Sequence, residues 1–376
     1  MSRSDNELLE AVSEIISRTG VQDTTPAPDP DGDLAVWRAL EQSGFTEIGA
    51  DGDDGDLTDL LAVVTAAATA GALTPVIEHT VLARWLARRA GYEINTTATV
   101  AIVDQLGDGG AATTGPISIE LGAVPFATVA DTIVIAAPGR TDTTSATSAT
   151  TVIVIDAHST GVTVADGTDL TGASCCDITL SAVSPQFAAT ADLRFDEVLT
   201  RAALAYATAM AAAAGSVRDA SLRYAGQRIQ FGRPLTGFQA ITQRLAQLGA
   251  TAALMDTAAR TATQYTQTGS GHAPFATAAA KIVTSSAARE VCAAGHQIHG
   301  AIGFTAESTL GRSTTSLLTW RDRGGEGARW AAYLAEQILD EGTDVWDVIV
   351  GAAIPASPHD TTISTGSNTT LEDEDR

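Results

Sequence analysis

Lysine is nearly missing from this chain of 376 residues: Lys281 stands alone beside twenty-one arginines. Cations number 22 against 45 acidic residues, for a net charge of −23. So acidic a balance excludes extended contact with nucleic acid or an anionic bilayer, both of which need a basic face. An anionic ligand is left possible where a few arginines gather. Cysteine is scarce as well. Cys175, Cys176 and Cys292 make an odd set; the first two are adjacent and unsuited to bridging each other, and none has zinc-site spacing. Such sparse use fits a reducing compartment. The opening MSRSDNELLEAVSEII is acidic and amphipathic, unlike a signal or transit peptide. No uninterrupted apolar run reaches the ~20 residues needed to cross a bilayer. Together these absences predict a cytoplasmic protein.

What is present is 44% hydrophobic residues, enough over this length for two or three packed domains. Residues 1–98 show a helical pattern broken by two acidic stretches, Asp23 to Asp33 and Ala50 to Asp56. Trp37, Leu40 and Phe45 anchor a helix between them, and apolar residues recur every three or four positions from Leu57 to Ala90. From 99 to 195 the pattern changes to short Val/Ile/Thr runs (ATVAIV, ISIEL, DTIVIAA, TVIVIDA, GVTVAD, DITLSAV) separated by Gly, Asp and Ser clusters. No helical crossover intervenes, so these strands predict a small β-barrel or sandwich and not a parallel α/β sheet. The tract Thr141 to Thr151 reads as a loop inside it. From 196 to 350 four helices are expected, over 202–225, 238–266, 276–295 and 329–339, and residues 357–376, ending in LEDEDR, read as a disordered tail.

Two stretches in the last zone carry chemistry. In RYAGQRIQFGRPLTGFQ (223–239) a long helix delivers Arg228 and Phe231 to a Gly-Arg-Pro turn, and a new helix starts near Phe238. An arginine and an aromatic at a helix end can pair with a phosphate and stack on a purine; the same residues also suit a plain packing junction. In HQIHGAIGFT (296–305) Gly300 and Gly303 let backbone amides approach a ligand closely. His296 and His299 lie three apart, but no third metal ligand is near them in sequence.

Taken together, the two stretches resemble the acyl-CoA dehydrogenase family. The resemblance rests on Arg228, Phe231, Gly232, Arg233, Pro234, Phe238 and Gln239, then Gln297, Ile298, Gly300, Ala301, Gly303 and Phe304. It implies an α+β multidomain fold: an N-terminal helical domain, a central small β-barrel and a C-terminal four-helix bundle. It further implies FAD as cofactor, an acyl-CoA substrate, an electron-acceptor flavoprotein and assembly into oligomers in which both motifs reach a neighbour's FAD. Arg228 would then meet the diphosphate and Phe231 the adenine. Gln239, Gln297 and the backbone of Gly300 and Ala301 would hold the rest.

The central zone departs from that family. Its Thr-Glu-Pro, Gly-Ser-Asp and Trp-Ile-Thr motifs are missing, and LGAVPFATVAD (121–131) resembles a shortened remnant of a further one. The family's base, a carboxylate in Tyr-Glu-Gly-Thr, has no direct counterpart, because the expected spacing lands on Gly324. Asp322 and Glu326 flank it and are the candidate catalytic residues. The alternative base position, on the first long helix of the bundle, reads LTRAALAYATA, without an acid. Three functions follow as expectations: an acyl-CoA dehydrogenase using Asp322 or Glu326, a non-catalytic subunit that completes a partner's FAD site, or a flavin oxidase or monooxygenase of the same fold. Fatty-acyl, branched and sterol-derived thioesters are all compatible substrates.

Overall fold

A computed structural model describes residues 3–21, 33–48, 56–106, 115–139, 149–305, 307–340 and 346. Much of the acidic stretches, most of the Thr141–Thr151 tract and the C-terminal tail lie outside the described residues. The last three positions of that tract, however, already belong to a strand.

The N-terminal part is helical: α1 (Arg3–Arg18), α2 (Leu34–Gln42), α3 (Leu57–Ala70), a π-helix (Val76–Ala83) and α4 (Arg84–Arg89). Asp56 caps α3, accepting from the backbone of Thr58 (2.7 Å) and Asp59 (3.2 Å), which satisfies amides the first turn would leave bare. The π-helix is buried along its whole length, including Glu78 and His79. Its wider turn aims Glu78 at the rest of the molecule, and such irregular turns recur at functional sites.

Seven strands follow in two sheets. β1 (Ala98–Ile102), β3 (Thr132–Pro138), β4 (Ala149–Asp156) and β7 (Phe187–Arg194) form one, in that order; β2 (Ile117–Pro125), β6 (Cys175–Val183) and β5 (Val162–Val164) form the other. β1 runs parallel to β3 and the remaining pairs are antiparallel. Between the sheets Ile133, Ile135, Ile153 and Ile155 pack on Leu121, Ile178 and Leu180. The opposite face of β3 and β4, with Val134, Val152 and Val154, joins the core of the N-terminal helices. A sheet buried on both faces explains why these two strands read as continuous apolar runs with no polar alternation.

The bundle comprises α5 (Phe195–Gln227), α6 (Gln239–Gln267), α7 (Ala273–His299), α8 (Leu310–Trp320) and α9 (Gly327–Asp340). Met210, Val217, Leu248, Met255, Val291 and Leu317 form its centre. α5 is long and apolar enough by length and composition to cross a membrane, yet 67% of its most apolar window is buried inside the molecule. It is the shared wall of two cores, packing on the N-terminal helices at one end and on α6 and α7 at the other.

Candidate functional site

A cleft of about 690 Å³ opens between the β region and the bundle. Its walls are mostly apolar and include Leu82, Val100, Ile102, Leu121, Val124 and Leu318. Where β2 passes the cleft, its register with β6 shifts between Leu121 and Val124, and Ala123 adopts φ +51°. That left-handed backbone is unusual for alanine and is held by Asp177, whose Oδ1 accepts from the Ala123 amide at 2.8 Å.

The α8–α9 loop supplies the polar floor. Gly324 sits at φ +67° against α5; a Cβ there would lie 2.9 Å from the Tyr206 ring and 3.0 Å from the Ala202 carbonyl carbon. This close approach is what requires glycine, and it brings Asp322 and Arg323 to the cleft. Lys281, fully buried, donates to the carbonyls of Trp320 (2.8 Å) and Arg321 (3.0 Å) and so ties down the end of α8. Burial pushes its amine down to about 7.

Arg323 is the centre of the polar network. Its Nη2 lies 2.6 Å from Asp169 Oδ2 and its Nη1 3.4 Å from Glu78 Oε1, while the Tyr206 hydroxyl donates to Glu78 Oε1 at 2.7 Å. These side chains come from the bundle, the β region and the N-terminal π-helix. Burial opposes the Arg323 charge, but the surrounding Tyr206, Glu78 and Asp169 groups outweigh it and hold its pKa above the usual value. Burial raises the Glu78 carboxyl, with Arg323 and Tyr206 pulling it back in part.

Asp322 lines the same cleft and makes a bidentate pair with Arg321, Oδ1 and Oδ2 each at 2.9 Å. Hydrogen bonding to Arg321 holds its carboxyl below the usual range. Glu326 is exposed and does not line the cleft. The alternative base position on α5 presents Ala202 and Tyr206 to the cleft.

The two stretches that carry the resemblance do not line this cleft. A hairpin of β8 (Ile229–Gln230) and β9 (Arg233–Pro234) turns through Phe231 (φ +52°) and Gly232 (φ +78°). It leaves the Phe231 ring 92% exposed, with Arg228 and Gln239 also at the surface. A second cleft, of about 560 Å³, is lined by Arg289, His296, Gln297, Gly300, Phe304 and Arg321, among others. Leu318 borders both clefts. Gly300 (φ +63°) has nothing within 4 Å of where a Cβ would stand, so its backbone is open to a ligand. Ala301 is exposed beside it. His296 stacks on Phe304 (centroids 4.4 Å apart) and His299 on Tyr224 (4.5 Å), and no group of three or more metal-ligating side chains occurs among the described residues.

Residues 194–339 match the sequence profile of the acyl-CoA dehydrogenase, C-terminal domain. Over these residues the chain resembles the acyl-CoA dehydrogenases. Solved structures extend the likeness to the whole fold. The ChsE4–ChsE5 complex from Mycobacterium tuberculosis aligns with TM-score 0.74 at 18% identity, covering 90% of this chain and 98% of the other. Butyryl-CoA dehydrogenase from Megasphaera elsdenii aligns at 0.78 and 16%, covering 90% and 99%. A glutaryl-CoA dehydrogenase in complex with glutaryl-CoA aligns at 0.74 and 15%, covering 90% and 96%. No curated protein sequence matches.

The acyl-CoA dehydrogenase fold sets the sequence expectations in place: an N-terminal helical region, central sheets and a C-terminal bundle in that order. α5 begins at Phe195, seven residues earlier than expected, and α8 was not foreseen, because LGRSTTSLLTW is half Ser, Thr and Gly. Arg323, Glu78, Asp169 and Tyr206 were missed as site residues. One signal was available for Glu78: it is the lone acid in the apolar run TPVIEHTVLA, where a charge needs a buried partner.

Proposed function

We propose that this chain is the cofactor-completing subunit of a hetero-oligomeric, FAD-dependent acyl-CoA dehydrogenase. It lends its Arg228–Phe231 turn and its Gln297–Ala301 stretch to a flavin seated mainly in a partner chain, and the partner supplies the base. One observation carries this reading. Both carboxylates that line the cleft among the described residues, Asp169 and Asp322, are committed to arginines, and the buried Glu78 shares Arg323. A base must be free to take the α proton.

The residues present fit the dinucleotide part of FAD. Arg228 offers a charge-assisted contact to a phosphate, Phe231 a ring face to the adenine, and Gln239 and Gln297 amides; Gly300 and Ala301 expose backbone. Bound FAD would accept the hydride leaving the acyl β-carbon. This chain's residues would orient the cofactor and keep water from one side of it. The structural likeness to the ChsE4–ChsE5 complex supports a two-chain assembly, and an electron-acceptor flavoprotein would reoxidise its flavin. We place this assembly in the cytoplasm, in keeping with the sparse cysteines and acidic sequence.

A second reading, favoured by the place of Asp322 in the cleft wall, makes that residue the chain's own base once Arg321 releases it. The chain purified alone and with candidate partner chains separates the two. Flavin absorbance, with bleaching by acyl-CoA, is expected only in the pair, and Asp322→Asn or Glu326→Gln should leave that bleaching intact. Bleaching of the isolated chain that Asp322→Asn abolishes would overturn the half-site reading. The expected loss for a missing base is about 10²–10⁴ in rate.

A further inference from the structure

We infer that this chain's own 690 Å³ cleft binds an uncharged, largely apolar molecule with one hydrogen-bonding group, and excludes flavin and carboxylates. This rests on the half-site reading in one respect: the flavin belongs in the partner's cleft. The volume lies within the roughly 300–1,000 Å³ usual for ligand cavities. What distinguishes the cleft is that its polar groups are closed upon one another. Arg323 is held by Asp169 and Glu78, and Asp322 by Arg321. The Ala123 amide, on the wall, donates to Asp177, while the Ala123 carbonyl accepts from the Cys175 thiol at 3.3 Å. An anion entering here would find no free cation among the described residues that line the cleft. It would have to break a buried ion pair and strand a charge, in a chain that already carries −23.

The apolar walls have no such requirement. Leu82, Val100, Ile102, Val124 and Leu318 gain by shedding water onto any apolar guest. Among the described residues lining the cleft, Thr319 Oγ1 is the buried side-chain atom left without a hydrogen-bond partner. Turned about its Cα–Cβ bond toward the cleft, that hydroxyl would gain a partner from a guest's hydroxyl or carbonyl. An alcohol, ketone or neutral ester meets both conditions; a dinucleotide or a free acid meets neither.

Full-length protein, without partner, tests this with Nile red as a neutral probe. The dye should brighten on binding and be displaced by 1-decanol, with decanoate at least about tenfold weaker and FAD without effect. Cys175 lines the cleft, whereas Cys176 and Cys292 are buried, so alkylation of Cys175 by N-ethylmaleimide reports occupancy independently. 1-Decanol should slow that alkylation in the unaltered chain. Ile102→Trp, at a partly exposed wall position, should abolish dye binding. Thr319→Val should weaken 1-decanol by about 2- to 10-fold. Decanoate binding as well as 1-decanol would overturn the inference. So would dye binding that survives Ile102→Trp, or Cys175 left unprotected by every neutral probe, and either of these leaves the half-site reading standing. Protection of Cys175 by FAD would overturn both readings together.

Discussion

At the scale of single residues, Glu78 and Arg323 show how one buried charge shapes a site. An arginine at the cleft floor cannot take a proton at any ordinary pH. Once buried, it has to be matched, and Asp169 and Glu78 match it from 154 and 245 residues away in sequence. Burial holds the Glu78 carboxyl above its ordinary 4.5, so the folded state grips this proton more tightly than the unfolded chain does. The stabilisation from that proton is fully present below pH 4.5 and is lost as pH rises through the folded-state value. Glu78→Gln keeps a neutral acceptor for Tyr206 and removes the titration. Urea midpoints between pH 4.5 and 8 should therefore fall less steeply with pH in the variant than in the parent. Parallel curves for the two proteins would show that Glu78 does not titrate in this window.

Among the elements, the α8–α9 loop decides what the cleft presents. Gly324 and Gly325 both have positive φ, and the first lies directly on α5. Lys281 fixes where α8 ends, and the glycine pair then reverses the chain so that Asp322 and Arg323 face the cleft. A methyl group at 324 meets backbone at 3.0 Å as well as the Tyr206 ring, and backbone cannot swing aside as a flexible side chain can. Gly324→Ala should thus cost about 1–3 kcal/mol in unfolding free energy. It should also perturb the near-ultraviolet signal of Trp320 and Trp330, which bracket the loop. A fully stable variant would mean that the loop has room that the geometry denies it. The β8–β9 hairpin behaves differently, since its exposed Phe231 adds little to the stability of the isolated chain.

For the molecule as a whole, the question is what covers the bundle. Ile229, Phe231, Leu254 and Phe304 are 63%, 92%, 57% and 75% exposed, although they belong to or adjoin well-packed helices. Large apolar side chains grouped on one domain mark association surfaces. The chain should run as an oligomer when flavin is bound, and light scattering across the flavin absorbance peak gives the mass directly. Arg228→Ala should lower flavin retention in that species by about 1.5–3 kcal/mol. A stable monomer that keeps its flavin would contradict both expectations.

The sequence by itself determined the order of helix, strand and helix, because hydrophobic period is a local property that survives in any tertiary setting. It also singled out Arg228, Phe231, Gln297 and Gly300, because the two motifs that hold them are legible within a few neighbouring positions. It could not say whether Asp322 and Glu326 share an environment. Only the tertiary structure places Asp322 in the cleft wall on Arg321 and leaves Glu326 in solvent. Nor could it reveal the Arg323 network, which joins a π-helix, a β-region turn and the loop after α8. A guanidinium's chemistry is set by what surrounds it, and here its surroundings are assembled from three distant segments by the packing of two cores against α5.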